Sequence, residues 1–174
     1  MKRILAATVN NQSGVLNRVT GLFSKRHFNI ESISVGHSEN QGQSKMTFVI
    51  DADDPGQIEQ VVKQLNKQID VLKVSDITDK AIVVRELALI KVSSTPQIHR
   101  EINAIIEPFR ASIIDVSKDS LAIEVTGKPD KIEAVLELLR PYGIKEISRT
   151  GLTAFLRGLQ PQSSSEAFSF SIIK

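Results

Sequence analysis

Apolar residues along this chain switch between two spacings. Ile4-Leu5-Ala6-Ala7-Thr8-Val9 is a short apolar run that predicts a strand. Behind it Val15, Leu16, Val19, Leu22 and Phe23 recur at helical spacing, and the helix fades at Ser24-Lys25-Arg26-His27, where positive charge suits a C-terminus. Asn29 to Val35 alternates and predicts a second strand, with Ile30, Ile33 and Val35 among polar residues. The polar stretch Gly36 to Gln43 predicts a long hairpin loop. Lys45 to Ala52 follows as a strand with Met46, Phe48 and Ile50 on one face. Asp54-Pro55-Gly56-Gln57 then offers a cap, a proline at the first helical position and a glutamine that completes a capping box. Ile58, Val61, Val62 and Leu65 mark that helix, and Val71 to Ile77 reads as the fourth strand.

The order β-α-β-β-α-β is the ferredoxin-like unit, an antiparallel sheet with both helices on one face. It then repeats. Glu86 to Val92 is a strand, and Thr95-Pro96 opens a helix carrying Ile98, Ile102, Ile105, Ile106 and Phe109. Ser112 to Val116 and Leu121 to Val125 are strands joined by Ser117-Lys118-Asp119-Ser120. Pro129 opens a helix with Ile132, Val135, Leu136 and Leu139, and Gly143 to Ser148 closes as a strand. Phe28-Asn29-Ile30 parallels Phe109-Arg110-Ala111, and Pro55 parallels Pro129. The expected fold class is therefore α+β, with two ferredoxin-like βαββαβ domains in tandem, over residues 1–79 and 80–158. Residues 159–174 are expected to form a flexible tail, because Gln160 to Glu166 is of low complexity. Within it Phe168 to Ile172 alternates, and either docks as an edge strand or stays loose.

Composition narrows the function classes. The chain has 22 Lys+Arg against 20 Asp+Glu, a net charge of +2, and no basic block that would favour nucleic acid. It has no cysteine, so disulfides, thiolate catalysis and cysteine metal sites are excluded. No apolar run approaches the ~18 residues of a membrane span. Met1-Lys2-Arg3 leads straight into a strand with no signal or transit pattern, so a cytoplasmic chain, complete as synthesised, is expected.

Candidate chemistry is sparse. His27, His37 and His99 share no metal spacing. Asp51, Asp53 and Asp54 lack a calcium-loop pattern, and Asp54 is better explained as a helix cap. Ser163 to Ser165 lie in no nucleophile elbow. An RNA-recognition sheet has the same element order but needs aromatics on its middle strands, and only Phe48 is there. The turn from Asn10 to Leu16 is more informative. It delivers a helix N-terminus whose unpartnered N–H groups and dipole favour an anion, with Gly14 allowing close approach and Asn11 supplying an amide. That suits the carboxylate and ammonium of a free amino acid. The plainer reading is a turn in which Ser13 or Asn11 caps the helix.

Asn11-Gln12-Ser13-Gly14-Val15-Leu16 resembles the D-x-x-G-x-L turn of ACT domains, the amino-acid-sensing version of the ferredoxin-like fold. The longer series is more specific. Ser13 to Phe23, Phe28 to Ile33, Gln64 to Val74, Arg85 to Val92 and Ser148 to Gly151, in that order, resemble the small regulatory subunits of acetolactate synthase (acetohydroxyacid synthase). The resemblance implies a chain that does no chemistry. It implies a large catalytic partner carrying thiamine diphosphate, magnesium and FAD, at the head of branched-chain amino-acid synthesis. It implies activation of that partner, feedback inhibition by valine, and a homodimer paired through the ACT domains. By position the valine residues would be Asn11, Gly14, Val15 and Leu16 of one chain, with Asn29 and Ile30 from the other. Asn11 replaces the common aspartate, which weakens the pull on the ligand's ammonium. A free-standing ACT sensor serving another enzyme is the competing expectation.

Overall fold

The computed structural model describes residues 1–52 and 54–158. The tail expectation for 159–174 and residue Asp53 fall outside the described residues. The elements are β1 (Lys2–Asn10), α1 (Val15–Lys25), β2 (Asn29–His37), β3 (Gln43–Asp51), α2 (Pro55–Leu65), β4 (Val71–Asp76), β5 (Ile82–Ser93), α3 (His99–Ile106), β6 (Ser112–Val116), β7 (Ser120–Gly127), α4 (Pro129–Leu139), β8 (Ile144–Arg149) and β9 (Thr153–Leu156). The first sheet runs β2-β3-β1-β4 and the second β6-β7-β5-β8, so both have the ferredoxin-like order. All the pairings are antiparallel. The α+β class and the tandem of two such units are thus borne out.

Each unit closes on its own core. In the first, Leu5, Val9, Phe48 and Ile50 from the sheet meet Val19 and Phe23 of α1 and Ile58, Val61 and Leu65 of α2. Phe23 and Phe48 stack at a tilt with ring centroids 5.1 Å apart. In the second, Ala88, Ile90, Val92, Ile123 and Val125 meet Ile102 and Ile106 of α3 and Ile132, Val135 and Leu139 of α4. These sets follow the helical and alternating spacings of the sequence, which is why both units were legible in it.

Several details differ from expectation. The loop between β2 and β3 is shorter than predicted, because β2 runs to His37 and β3 begins at Gln43. Asp54 does cap α2, accepting from the Gly56 N–H at 2.9 Å, but the glutamine half of the capping box does not form among the described residues. Helix α3 starts at His99 rather than at Pro96, because Thr95 to Ile98 make a separate turn, with the Ile98 N–H on the Thr95 carbonyl. Strand β9 was not foreseen. It pairs with Ile82–Arg85, the first residues of β5, while the rest of β5 is the central strand of the second sheet.

This β5–β9 ribbon lies across the first sheet, on the face away from the helices. The Ser34 hydroxyl donates to the Leu152 carbonyl at 2.7 Å, and the Ala154 N–H donates to Thr47 Oγ1 at 3.4 Å. Gly151 makes the approach possible: its φ is +74°, and a Cβ there would sit 3.1 Å from Ser32 Cβ. Just before it, Arg149 grips Glu86 with two nitrogens, at 2.6 and 2.9 Å, and Glu133 with a third at 2.6 Å. The Glu86 bond raises the pKa of the guanidinium, so it stays charged and pins β8 to β5 and α4.

Candidate functional site

The turn between β1 and α1 is held from both sides. Asn10 donates its N–H to the Asp70 carbonyl and Asn11 donates its own to the Gly42 carbonyl, each at 2.8 Å. The end of β1 is thereby fixed beside the β2–β3 hairpin and the loop before β4. Gly14, not Ser13 or Asn11, is the N-cap residue of α1. Its φ is +82° and ψ −7°, a left-handed conformation that glycine adopts without strain, and no side chain caps the helix. The plain capping reading of this stretch is therefore wrong.

An uncapped start leaves donors unused. The Val15 N–H is taken up by the Gln12 carbonyl at 3.3 Å and the Arg18 N–H by the Gly14 carbonyl at 3.0 Å. Among the described residues the N–H groups of Gly14, Leu16 and Asn17 meet no acceptor. They lie at the positive end of the 11-residue helix α1. A carboxylate is the simplest group to satisfy them.

The named residues divide by role. The Val15 side chain is buried in the core, so it can offer a ligand only backbone. Leu16 is exposed and can wall an apolar group. The Asn11 amide is exposed at the mouth of the turn. Asn29 and Ile30 are elsewhere. Asn29 pairs with Asp51 at the start of β2, and Lys2 at the start of β1 pairs with the same residue. Within one chain they are at the opposite end of the sheet from Asn10 to Leu16. Ile30 instead lines a cavity of about 840 Å³ between the two units, with Ser32, Glu86, Glu133, Arg149 and Gly151. Strand β2 has β3 on one side and no strand on the other among the described residues, so it is an edge, as expected.

The corresponding place in the second unit is closed. Ser94 is buried and donates its N–H to the Asp119 carbonyl at 3.0 Å. The turn before α3 contains no glycine, and Pro96 has no N–H. Arg110, at the position matching Asn29, has a φ of +52° and precedes β6.

Other chemistry does not assemble. Among the described residues no group of three or more His, Cys, Asp or Glu comes close enough to hold a metal. Asp51 bonds the N-terminal ammonium at 2.6 Å, which holds its carboxyl below the usual range. Among the described residues no helix is long and apolar enough to cross a membrane. One group absent from the sequence expectations stands beside the turn: Arg18, one helical turn after Gly14, whose guanidinium pairs with the Asp70 carboxylate.

Comparison with known proteins gives the family of the chain. Residues 5–73 match the family described as AHAS small subunit-like ACT domain, and residues 85–158 match that described as small subunit of acetolactate synthase. The acetolactate synthase small subunit of Bacillus subtilis is 65% identical over 165 residues, covering 95% of this chain and 96% of that protein. A probable acetolactate synthase small subunit of Archaeoglobus fulgidus is 52% identical over 91% of this chain and 98% of its own length. The crystal structure of the acetolactate synthase small subunit from Thermotoga maritima superposes with a TM-score of 0.83 at 40% identity, covering 92% of this chain and 99% of that one. This chain belongs to the family of acetolactate synthase small subunits, which are regulatory and non-catalytic.

Proposed function

We propose that this chain activates the large catalytic subunit of acetolactate synthase and makes it subject to feedback inhibition by valine, which binds between two copies of the small subunit in the cytoplasm. The thiamine diphosphate, magnesium and FAD belong to the large subunit, and this chain holds no cofactor of its own. The observation that carries the reading is the uncapped start of α1 at Gly14, with its unpartnered N–H groups, in a chain of this family. The valine carboxylate meets those groups, the Asn11 and Asn29 amides accept from its ammonium, and Leu16 and Ile30 flank its side chain.

The two-chain arrangement follows from the edge strand. β2 runs from Asn29 to His37, and His37 pairs with Ser44, next to the Gly42 carbonyl that holds Asn11. Two copies joined through β2 about a two-fold axis run antiparallel. The Asn29 end of one then lies beside the His37 end of the other, and so beside its β1–α1 turn. This brings together the halves that a single chain keeps apart.

Magnitudes favour polar anchoring. Burying a valine side chain gives ~1.5–3 kcal/mol. Micromolar affinity requires ~8 kcal/mol. The balance must come from charge-assisted hydrogen bonds at the two charged ends. Inhibition then works by preference: valine favours the dimer arrangement it binds better, and its leverage is the difference in affinity.

The test is reconstitution with the large subunit. Acetolactate formation is expected to rise when this chain is added and to fall across a valine series, while the chain alone forms none. Sedimentation is expected to show a dimer. No activation, or activation that valine does not touch, would overturn the reading, and a strict monomer with and without valine would remove the shared site.

A further inference from the structure

The helix layer of the first unit carries a groove of about 830 Å³ between α1 and the turn that follows α2. Gly21, Leu22, Lys25 and Arg26 line one wall, and Gln68 and Ile69 line the other. Its charge is one-sided. Residues 1–30 contain no Asp or Glu, so every charged side chain of α1 is a cation. Among the described residues Lys25 and Arg26 meet no carboxylate, and Arg26 Nη1 donates only to the neutral Gln60 Oε1, at 3.5 Å. Helices α1 and α2 together hold three Lys or Arg against one Glu, whereas α3 and α4 hold two against four acidic residues. The groove also has an apolar centre. Gly21 sits in mid-helix, where alanine would favour the helix more, yet a Cβ there would meet nothing within 4 Å. Ile69 is 92% exposed although its turn is fixed: the Val71 N–H donates to the Gln68 carbonyl at 3.0 Å, and the Asp70 carbonyl accepts the Asn10 N–H at 2.8 Å. A firm turn thus holds an isoleucine in water beside an open glycine, inside a cationic rim. An apolar centre within a polar rim is the layout of a protein interface.

We propose that this groove is the surface through which the first unit docks on the large catalytic subunit, and that it receives an acidic segment bearing an aliphatic side chain. The inference rests on the proposed regulatory role and adds to it the face that meets the partner. Unpaired cations call for carboxylates, and Ile69 with the space over Gly21 calls for an apolar side chain between them. A second copy of this chain is a poor occupant, because two cationic rims repel. The other large surfaces of the first unit are in use: the ribbon lies on the back of its sheet, and the β2 edge is the proposed dimer seam. The groove also borders the proposed valine site. Helix α1 begins at Gly14, and the Asp70 turn holds Asn10. Valine at the start of α1 and the large subunit along its flank therefore act on one helix. Each then changes the other's affinity by the same factor, which is how occupancy at Gly14 reaches a partner it never touches.

The test titrates the large subunit with this chain and reads acetolactate formation, with sedimentation of the complex as a second readout. The double variant Lys25→Glu, Arg26→Glu is expected to raise the concentration for half-maximal activation by about tenfold or more at low salt, and the effect should shrink as salt rises. Ile69→Ala is expected to raise it by about tenfold at every salt concentration, as the loss of one buried aliphatic side chain would. All three side chains are exposed, so the variants should fold, and unchanged thermal unfolding of the free chain checks this. Glu137→Lys, an exposed reversal on α4, should leave the titration in place. Wild-type titration by either groove variant would overturn the proposal. So would an equal shift in Glu137→Lys, which would mark a general charge effect, or a changed association state of the free variants, which would assign the groove to a second copy. Failure of the wild type itself to bind the large subunit would overturn the regulatory reading, and this surface with it.

Discussion

The two sheets have the same strand order, yet their outer faces are treated differently. On the first, Thr47 and Val49 are each 5% exposed: the β5–β9 ribbon lies over Thr47, and Val49 faces the second unit across the cavity between them. On the second, Leu89 is 38% exposed and Ile114 51% exposed. The helix starts differ in the reverse sense. The first unit begins α1 on a left-handed glycine with unused N–H groups, while the second fills the matching place with a hydrogen-bonded turn. Duplicated topology thus carries two assignments: one unit is sealed at its back and open at its helix start, the other closed at its helix start and bare at its back. The same βαββαβ frame tolerates both, since neither feature touches the core.

The sharpest way to break this comparison is Gly14→Asp. It forces a Cβ into a backbone with positive φ and sets a negative charge beside Arg18, where the carboxylate should lie. Loss of two charge-assisted bonds would shift valine inhibition by roughly 100-fold or more, with activation of the large subunit retained. Thr95→Asp, at the closed start of the second unit, should leave the inhibition curve in place. Acetolactate assays across a valine series read both. A second pair tests the other half of the site. Asn29→His is expected to shift inhibition by about tenfold, for one lost polar anchor, and Arg110→His not at all.

The outer faces give a smaller contrast, read as stability. Val49→Ala removes two buried carbons from the sheet face that meets the second unit and should cost about 1.5–2 kcal/mol in urea unfolding. Leu89→Ala, on the bare face, should cost under about 1 kcal/mol. Equal losses would mean that the second face is covered after all. The smallest effect is in pH. Lys145 donates to Asp119 at 2.7 Å and holds that carboxyl below its ordinary value. A depressed folded pKa contributes stability above the unfolded value, near pH ~4, and that contribution is lost as pH falls through the folded one. Carboxyl NMR titration should show Asp119 returning to the ordinary range in Lys145→Met, while Asp51 of the first unit, held down by the N-terminal ammonium, does not move.

Much of this could be read before the structure. Pro55 and Pro129 open helices where the sequence predicts, and the apolar spacings name the two cores, because burial on one face leaves a period in the chain. β9 left no such trace. Thr153-Ala154-Phe155-Leu156 has no alternation, and its partners are far off in the chain: Ile82–Arg85 in the ribbon, and Thr47 of the first sheet at a separation of 107 from Ala154. The start of α3 was misplaced because a proline after threonine signals a helix, while hydrogen bonds from Ser94 to Asp119 and within Thr95–Ile98 fix a turn first. At the candidate site, Asn11, Gly14 and Leu16 were legible as a turn, but the left-handed cap at Gly14 is a backbone conformation that the letters alone leave open. Arg18 had only its spacing of four from Gly14, and its partner Asp70 is distant in sequence.

Because β5 is shared between the ribbon and the second sheet, the first unit cannot be finished early during synthesis. Its own strands are complete once β4 has been made, at Asp76, but the cover for Thr47 arrives only with β9, which ends at Leu156. At ordinary translation speeds that interval is roughly 4–16 s. Throughout it a nascent chain displays an unpaired β2 edge and an uncovered sheet face together, the two surfaces most prone to join a neighbouring chain wrongly. Chains halted on the ribosome before β9 should therefore be cut by protease within the first unit faster than chains halted beyond it. Equal rates would mean that the ribbon does not seal that face.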